Sequence, residues 1–179
     1  MSQHPEHGLL RSIPGRRHKA SVRTLLLAFV LSYATAGIGA ALTELGPWYF
    51  ALKHPPWKPP DAAFGVIWST IFTLCAISGW LAWQAADTAA LRRRVAVLFG
   101  VNAALNMLWS ALYFKLQRPD WALFEVVFLW LSILALIMGL WRLSRWASLL
   151  LITYWVWVSI AAVLNVHTVM LNGPFGTQP

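Results

Sequence analysis

Asn102, Asn106 and Trp109 recur at spacings of four and three residues inside an apolar stretch. That spacing places them on one stripe of a helix. Tyr154, Trp157, Ala161 and Leu164 form a similar stripe further along. Phe64 and Trp68 share a face of an earlier stretch, and Trp121 and Glu125 share one near the start of another. A polar side chain in an apolar run costs free energy, so it turns toward the interior of a bundle and finds a partner there. Several aromatic faces with one or two amides describe a slot for a flat, apolar ligand with a few polar edges. The chemistry on offer is stacking and hydrogen bonding, not bond making. The same stripes also suit asparagines that join helices and tryptophans that fill or border a lipid layer. Spacing alone leaves both readings open. The chain has no Ser-His-Asp set, no His or Cys cluster at metal spacing and no phosphate loop, so no catalytic or metal-binding role is assigned. Glu125 reads as a structural carboxyl paired with a helix-end base such as Arg118 or with a tyrosine hydroxyl.

A second chemical feature is the run Trp48-Tyr49-Phe50-Ala51-Leu52-Lys53-His54-Pro55-Pro56-Trp57-Lys58-Pro59-Pro60. Its clustered prolines cannot continue a helix, because proline lacks the N–H and clashes with the preceding turn. They favour a stiff, extended path with little entropy left to lose. Its tryptophans and tyrosine suit a membrane interface. The stretch reads either as a weakly basic aromatic loop over the mouth of a helical bundle, with Lys53, His54, Pro55, Trp57, Lys58, Pro59 and Pro60 as lid residues, or as a plain interfacial connector. His54 and His167 read as ordinary interface residues, not as metal ligands.

The elements that must hold these residues are set by composition. The chain has 179 residues, of which 59% are hydrophobic and 11% charged, with a mean hydropathy of +0.60. Soluble domains carry roughly 25% charged residues. Five apolar segments are legible: 24–42, 63–83, 95–114, 121–141 and 146–171. Each is near the ~20 residues that a helix needs to cross a bilayer, and backbone groups in lipid must be satisfied within the segment. The expectation is an all-α membrane protein with a five-transmembrane-helix bundle spanning residues 23–172. A basic tail without fixed fold (1–22) precedes it and a short tail (173–179) follows. The first apolar run is too long for a signal core and is read as a retained helix. The single cysteine, Cys75, lies within a segment and reads as an inert thiol.

The formal charge is +8, and its placement excludes a nucleic-acid partner. Arg11, Arg16, Arg17, Lys19, Arg23, Arg92, Arg93, Arg94, Arg142 and Arg145 fall at one end of the predicted bundle. Lys53, Lys58, Lys115 and Arg118 fall at the other. Such asymmetry predicts a cytoplasmic N-terminus and a C-terminus outside, with the arginine run touching anionic membrane lipid. Trp80, Trp83, Trp141 and Trp146 sit at segment ends, as an interfacial belt would. Small residues repeat every four positions at Ala96, Gly100 and Ala104, and at Ala36 and Ala40. Either stripe allows close helix approach, within one subunit or across a homodimer.

From about Gly37 to Asn165 the chain resembles the TspO/translocator-protein family of tryptophan-rich sensory proteins and peripheral-type benzodiazepine receptors. The resemblance rests on Trp48-Tyr49, Leu52, His54-Pro55, Trp57 and Pro59-Pro60, followed by Trp68. It continues through Leu105-Asn106-Met107-Leu108-Trp109 and Trp121-Ala122-Leu123-Phe124-Glu125, then Tyr154, Trp157 and Leu164-Asn165. It implies a five-helix bundle, usually dimeric, that binds porphyrin or haem as a ligand, with no cofactor required. The implied pocket wall is Phe64, Trp68, Asn106, Trp109, Trp121, Trp157, Ala161 and Leu164, closed by the first loop. The implied roles are sensing or transport of tetrapyrroles. Light- and oxygen-dependent porphyrin breakdown and sterol or lipid binding are the alternatives. The chain departs from the family pattern at His54, where a lysine is usual, and at Ser110, where a proline is common. It also lacks the tyrosine and base of the sterol motif after Leu164-Asn165.

Overall fold

A computed structural model describes residues 21–176. The expected tail and four of its bases (Arg11, Arg16, Arg17 and Lys19) lie outside the described residues, as do 177–179. The helices are α1 (Val22–Leu42), α2 (Pro47–Ala51), α3 (Asp61–Ala85), α4 (Ala89–Ser110), α5 (Pro119–Trp141) and α6 (Arg145–Asn172), with a π-helical turn, Ala111–Lys115, continuing α4. Five of them are long and apolar enough to cross a membrane, α4 being counted with its π turn. Among the described residues there is no strand.

Local chemistry explains where the helices outrun the apolar segments. α4 starts ahead of Val95 because Thr88 Oγ1 accepts from Leu91 N at 3.2 Å, an N-cap that satisfies an end N–H. Ser144 Oγ accepts from Ala147 N at 3.3 Å and starts α6 in the same way. Pro119 opens α5 and Pro47 opens α2, since the first turn needs no N–H from that residue. The proline run is extended only in its second half. Its first half is the short helix α2, and the extended path begins at Leu52 (φ −67°, ψ 136°).

Around the bundle the helices follow the order α1, α3, α6, α5, α4, with α4 returning to α1. The core has two main layers. Toward the proline loop it is Ile71, Val126, Leu129, Ile133, Tyr154, Trp157 and Val158. Toward the arginine-rich end it is Ala82, Val95, Leu136, Leu140, Ala147 and Leu151. Buried hydroxyls and amides cross-link the helices. Ser78 Oγ donates to the Ala147 carbonyl at 2.7 Å, Asn102 Nδ2 to Ser132 Oγ at 2.8 Å, and Trp130 Nε1 to Ser159 Oγ at 2.9 Å. α1 is the outlier. Only Gly39 of it is buried, and its polar ties go to α3: Ser32 Oγ donates to the Phe72 carbonyl at 2.6 Å, and Tyr33 and Thr73 share a hydroxyl bond at 2.9 Å.

The small-residue stripes lie at this loosely held side. Ala96, Gly100, Ala104 and Ala40 are exposed, whereas Ala36 is half-buried. Trp141 and Trp146 are exposed at helix ends, as a belt requires. Trp80 and Trp83 are half-buried near the end of α3, Trp83 under the Arg92 guanidinium, and they also line a cavity.

The α3–α6 contact gives a stability prediction. Ser78 is fully buried with a backbone carbonyl at 2.7 Å, so Ser78→Leu overfills the seam and destabilises by about 1–3 kcal/mol. Ser78→Ala, which only removes the bond, costs about 0.6 kcal/mol. Thermal unfolding in detergent, read by circular dichroism, should rank the two in that order.

Candidate functional site: an aromatic chamber under the proline loop

The loop end of the bundle is built from rings. Trp109 stacks on Tyr113 at 5.0 Å between centroids, and Tyr113 meets Phe114 at 4.7 Å. The π turn makes this possible. A wider turn at Ala111–Lys115 shifts the register, so that Tyr113 points into the bundle and is buried. Such turns recur at functional positions. Tyr49 of α2 lies against Phe114 at 5.8 Å and against His54 at 5.3 Å. Below this layer Phe64 meets Trp157 edge-on at 5.6 Å, and Trp68 meets Tyr154 at 6.1 Å.

Phe64, Trp68, Asn106, Trp109 and Trp157 are thus brought together, with Ile67, Leu105 and Leu123 packed around them. Asn106 Nδ2 donates to Tyr154 Oη at 3.1 Å. Trp121 goes elsewhere: it is 48% exposed, with the Arg118 guanidinium 4.1 Å from its ring centre. Trp121 and Glu125 lie four residues apart on α5, and of the two only Glu125, 6% exposed, is inside the bundle. The expected partner of Glu125 is corrected. Arg118 pairs with Asp120 instead, and neither Glu125 oxygen has a hydrogen-bond partner. Two cross-helix bonds fix the level of that carboxyl. Asn102 faces Ser132 across α4 and α5, and Trp130 faces Ser159 across α5 and α6. Counting from these toward the loop puts Glu125 level with Trp109 and with the Ala161–Leu164 turn, both half-buried positions of the predicted wall.

Three further buried groups in this half are unpartnered: the indole N–H groups of Trp109 and Trp157 and both ring nitrogens of His54. Burying such groups without a partner is costly, so donors and a carboxyl in successive layers of the loop half make it the candidate place for a ligand with polar edges. Asn165 is not one of them. Its amide, oriented with nitrogen toward Pro119, donates to that carbonyl at 3.1 Å and accepts from Leu123 N at 3.2 Å.

The loop closes this layer through two ties. Asn172 Oδ1 accepts from Lys53 N and its Nδ2 donates to the Lys53 carbonyl, both at 2.8 Å. Tyr49 Oη donates to Asp61 Oδ1 at 2.7 Å, and Lys58 Nζ reaches the same oxygen at 2.5 Å. Burial, and then the bond to Asp61, hold the Tyr49 phenol far above its usual range, so it stays a donor. Trp57 lies across His167 at 5.6 Å, and Pro55 is buried beneath the loop while Pro59 and Pro60 lead into α3. Sequence reasoning missed the Asn172 latch, Tyr113 and the Lys58–Asp61–Tyr49 triad. The tyrosines were the available signal, since a buried phenol needs a partner.

A separate cavity of about 470 Å3 lies between α1, α3 and α4. Of the predicted wall only Asn106 lines it, together with Tyr154, Asn102, Phe72, Cys75 and Phe99.

These features define a polytopic membrane bundle with an aromatic chamber under a latched loop. Residues 25–171 match the TspO/MBR family, and the chain belongs to it. It is 33% identical over 153 residues to Protein CrtK of Rhodobacter capsulatus, covering 83% of this chain and 93% of that one. Similarity to the tryptophan-rich protein TspO of Chlorobaculum tepidum is 34% over 156 residues, or 84% and 97% of the two chains. The translocator protein of Ovis aries is 30% identical over 121 residues, or 66% and 70%. The recognition made from the motifs, the five-helix membrane fold and the multi-pass membrane location all stand.

His54 yields a pH prediction. Burial first, and the Lys58 charge second, lower its pKa from the ordinary value. The closed loop therefore carries no penalty above about pH 6.5, the free histidine value. Below it, the open loop takes up a proton that the closed one resists, so closure weakens down to the lowered pKa and then levels off. The protection of the Leu52, Lys53, His54, Trp57 and Lys58 amides, each exchange rate being divided by the free-peptide rate at the same pH, should be lower at about pH 5.5 than at about pH 7.5. His54→Phe, which keeps a ring against Tyr49, should remove that difference.

Proposed function

We propose that the chamber under the proline loop binds a tetrapyrrole, porphyrin or haem, as a ligand, and that the protein senses or carries it. The observation that supports this most is the set of unpartnered groups among stacked rings: the Trp109 and Trp157 indole N–H groups and the Glu125 carboxyl. A flat macrocycle offers faces to the rings and polar atoms to those groups. The names of relatives, a tryptophan-rich sensory protein in Cereibacter sphaeroides among them, are compatible with a sensing role. The rings touch one another, so a macrocycle enters only when the loop lifts and Phe64 and Trp157 separate. The loop bases then meet the propionates. Lys53 is exposed and Lys58 can exchange Asp61 for a propionate.

A titration with protoporphyrin and with haem, read by tryptophan quenching and by the Soret band, tests this. Trp157→Leu and Trp68→Leu should each weaken binding several-fold, in line with about 0.5–1.5 kcal/mol for a lost aromatic pair. Trp146→Leu, at an exposed helix end, should leave it unchanged. Equal affinity in all variants would reject the chamber.

The charge pattern supports a cytoplasmic N-terminus. At the loop end the described bases are Lys53, Lys58, Lys115 and Arg118. The other end carries Arg23, Arg92, Arg93, Arg94, Arg142 and Arg145, and the end richer in Lys and Arg stays inside. A reporter that works only in the cytoplasm should be silent when fused to the C-terminus. The exposed stripe of Ala96, Gly100 and Ala104 makes a homodimer through α4 the corresponding proposal for assembly.

A further inference from the structure

The arginine-rich end of the bundle carries charge that no contact within the fold answers. We infer that the outer seam between α4 and α5 at that end binds one anionic phospholipid, whose phosphate is held by Arg94 and Arg142. The inference does not rest on the tetrapyrrole reading. Among the described residues, Arg23, Arg93, Arg94, Arg142 and Arg145 are exposed at this end, and Asp87 is the one acid there. The ion pairs among the described residues all lie at the loop end. Arg92 has a different task. Its Nε donates to the Ala86 carbonyl at 3.2 Å, and its guanidinium lies 5.7 Å from the Trp83 ring centre, so it fastens the turn between α3 and α4.

Placement sets Arg94 and Arg142 apart from the other bases. Asn102 and Ser132 fix the facing sides of α4 and α5. About two turns nearer the arginine end, Gly139 of α5 meets Leu98 and Arg94 of α4. A Cβ at Gly139 would lie 2.9 Å from Leu98 Cδ1 and 3.5 Å from Arg94 Nη2. Glycine at this position therefore lets the Arg94 guanidinium lie across the seam against α5. Arg142 follows Gly139 by three residues, so it leaves α5 on the same side, about one turn nearer the membrane surface. Two guanidinium groups from two helices thus border one seam. Beneath them the seam is apolar and open to lipid. Val101 is 50% exposed and Met138 69%, and Ala135 is exposed beside them. Val101 continues the stripe of Arg94, seven residues on, and Ala135 continues that of Arg142, seven residues back.

Bases above an apolar groove match a phosphate above an acyl chain. A guanidinium fork takes two oxygens of a phosphodiester, which a point charge cannot do as well. A zwitterionic headgroup brings its own cation to an end already rich in cations, so a lipid of net negative charge is preferred. Exposed Trp141 at the end of α5 marks the headgroup level. The proposed dimer contact leaves the seam open. At this level of α4 its residues are Ala96 and Gly100, which line the cavity behind α1. They lie about 120–160° around the helix from Arg94.

The test is native mass spectrometry of the full chain in detergent, titrated with phosphatidylglycerol, with phosphatidylcholine and with glycerol 3-phosphate. The first phosphatidylglycerol should bind at least about fivefold more tightly than phosphatidylcholine. Arg94→Gln and Arg142→Gln should each weaken it about fivefold, the usual effect of one base at a membrane surface. Arg23→Gln removes the same charge from α1 and should leave the first binding event unchanged. Ala135→Trp keeps every charge but fills the groove below the bases, and it should weaken the lipid as much as Arg94→Gln does. Circular dichroism verifies the fold of each variant. Trp157→Leu should change nothing here even where it removes porphyrin binding, so the two readings fail separately. Equal affinity for the two lipids would mean annular lipid only. Equal losses in Arg94→Gln and Arg23→Gln would mean diffuse attraction to the basic end. Competition by glycerol 3-phosphate at equal concentration, or binding insensitive to Ala135→Trp, would mean a site for a soluble phosphate. Each of these results overturns the proposal.

Discussion

In a hydrocarbon layer a buried polar group has only the protein to turn to, and that constraint organises this bundle. Ser78, Ser148, Trp130 and Asn102 all find partners on a neighbouring helix. Each bond fixes the rotation of one helix against the next, so the register of α3, α4, α5 and α6 follows from a few hydroxyls and amides. The exceptions then carry information. Trp109, Trp157, Glu125 and His54 have no partner, and they sit in the half of the bundle nearest the loop. The Trp155 indole N–H, beside Trp130, is also without a partner, so the open groups gather toward the loop without being confined to it.

The loop is the second half of that arrangement. Its prolines limit the ways it can move, but they do not attach it. Attachment comes from the Asn172 amide, which clasps both backbone groups of Lys53, and from Asp61, which holds Tyr49 and Lys58 together. Both ties are polar and near the surface, so each is worth little alone. A stiff loop held by weak ties would open as a unit without first being disordered, exposing the aromatic layer beneath it.

Much of this was legible in the chain, because periodicity and length report on burial in lipid more directly than they do in water. The five spans were readable to within a few residues, except for α4, whose start depends on the Thr88 cap and not on apolarity. The stripe of Asn106 and Trp109 was readable because spacings of three and four stack on one face. Trp121 was misplaced for a related reason. A helix entered through Pro119 has its first turn outside the bundle, where Arg118 covers the ring. The motif gives the residue type, but the turn at which the helix enters decides its direction. The π turn at Ala111–Lys115, the latch at Asn172 and the cavity behind α1 had no sequence signal. Each depends on a contact between segments far apart in the chain, or on one helix packing less closely than the others.

Tyr154 is where these strands of the structure meet. It is buried, its ring lies edge-on to Trp68 in the aromatic layer, and its hydroxyl holds the Asn106 amide at the cavity floor. A rigid ring with only two side-chain torsions cannot serve one neighbour without constraining the other. If Trp68 moves to admit a macrocycle, Tyr154 must either keep its bond to Asn106 or follow the indole, and in the second case the Asn106 amide turns as well. The Asn106–Tyr154 bond thus lies between the two compartments, joining two nearly inaccessible side chains. That bond sets the orientation of the polar groups on both sides of the wall.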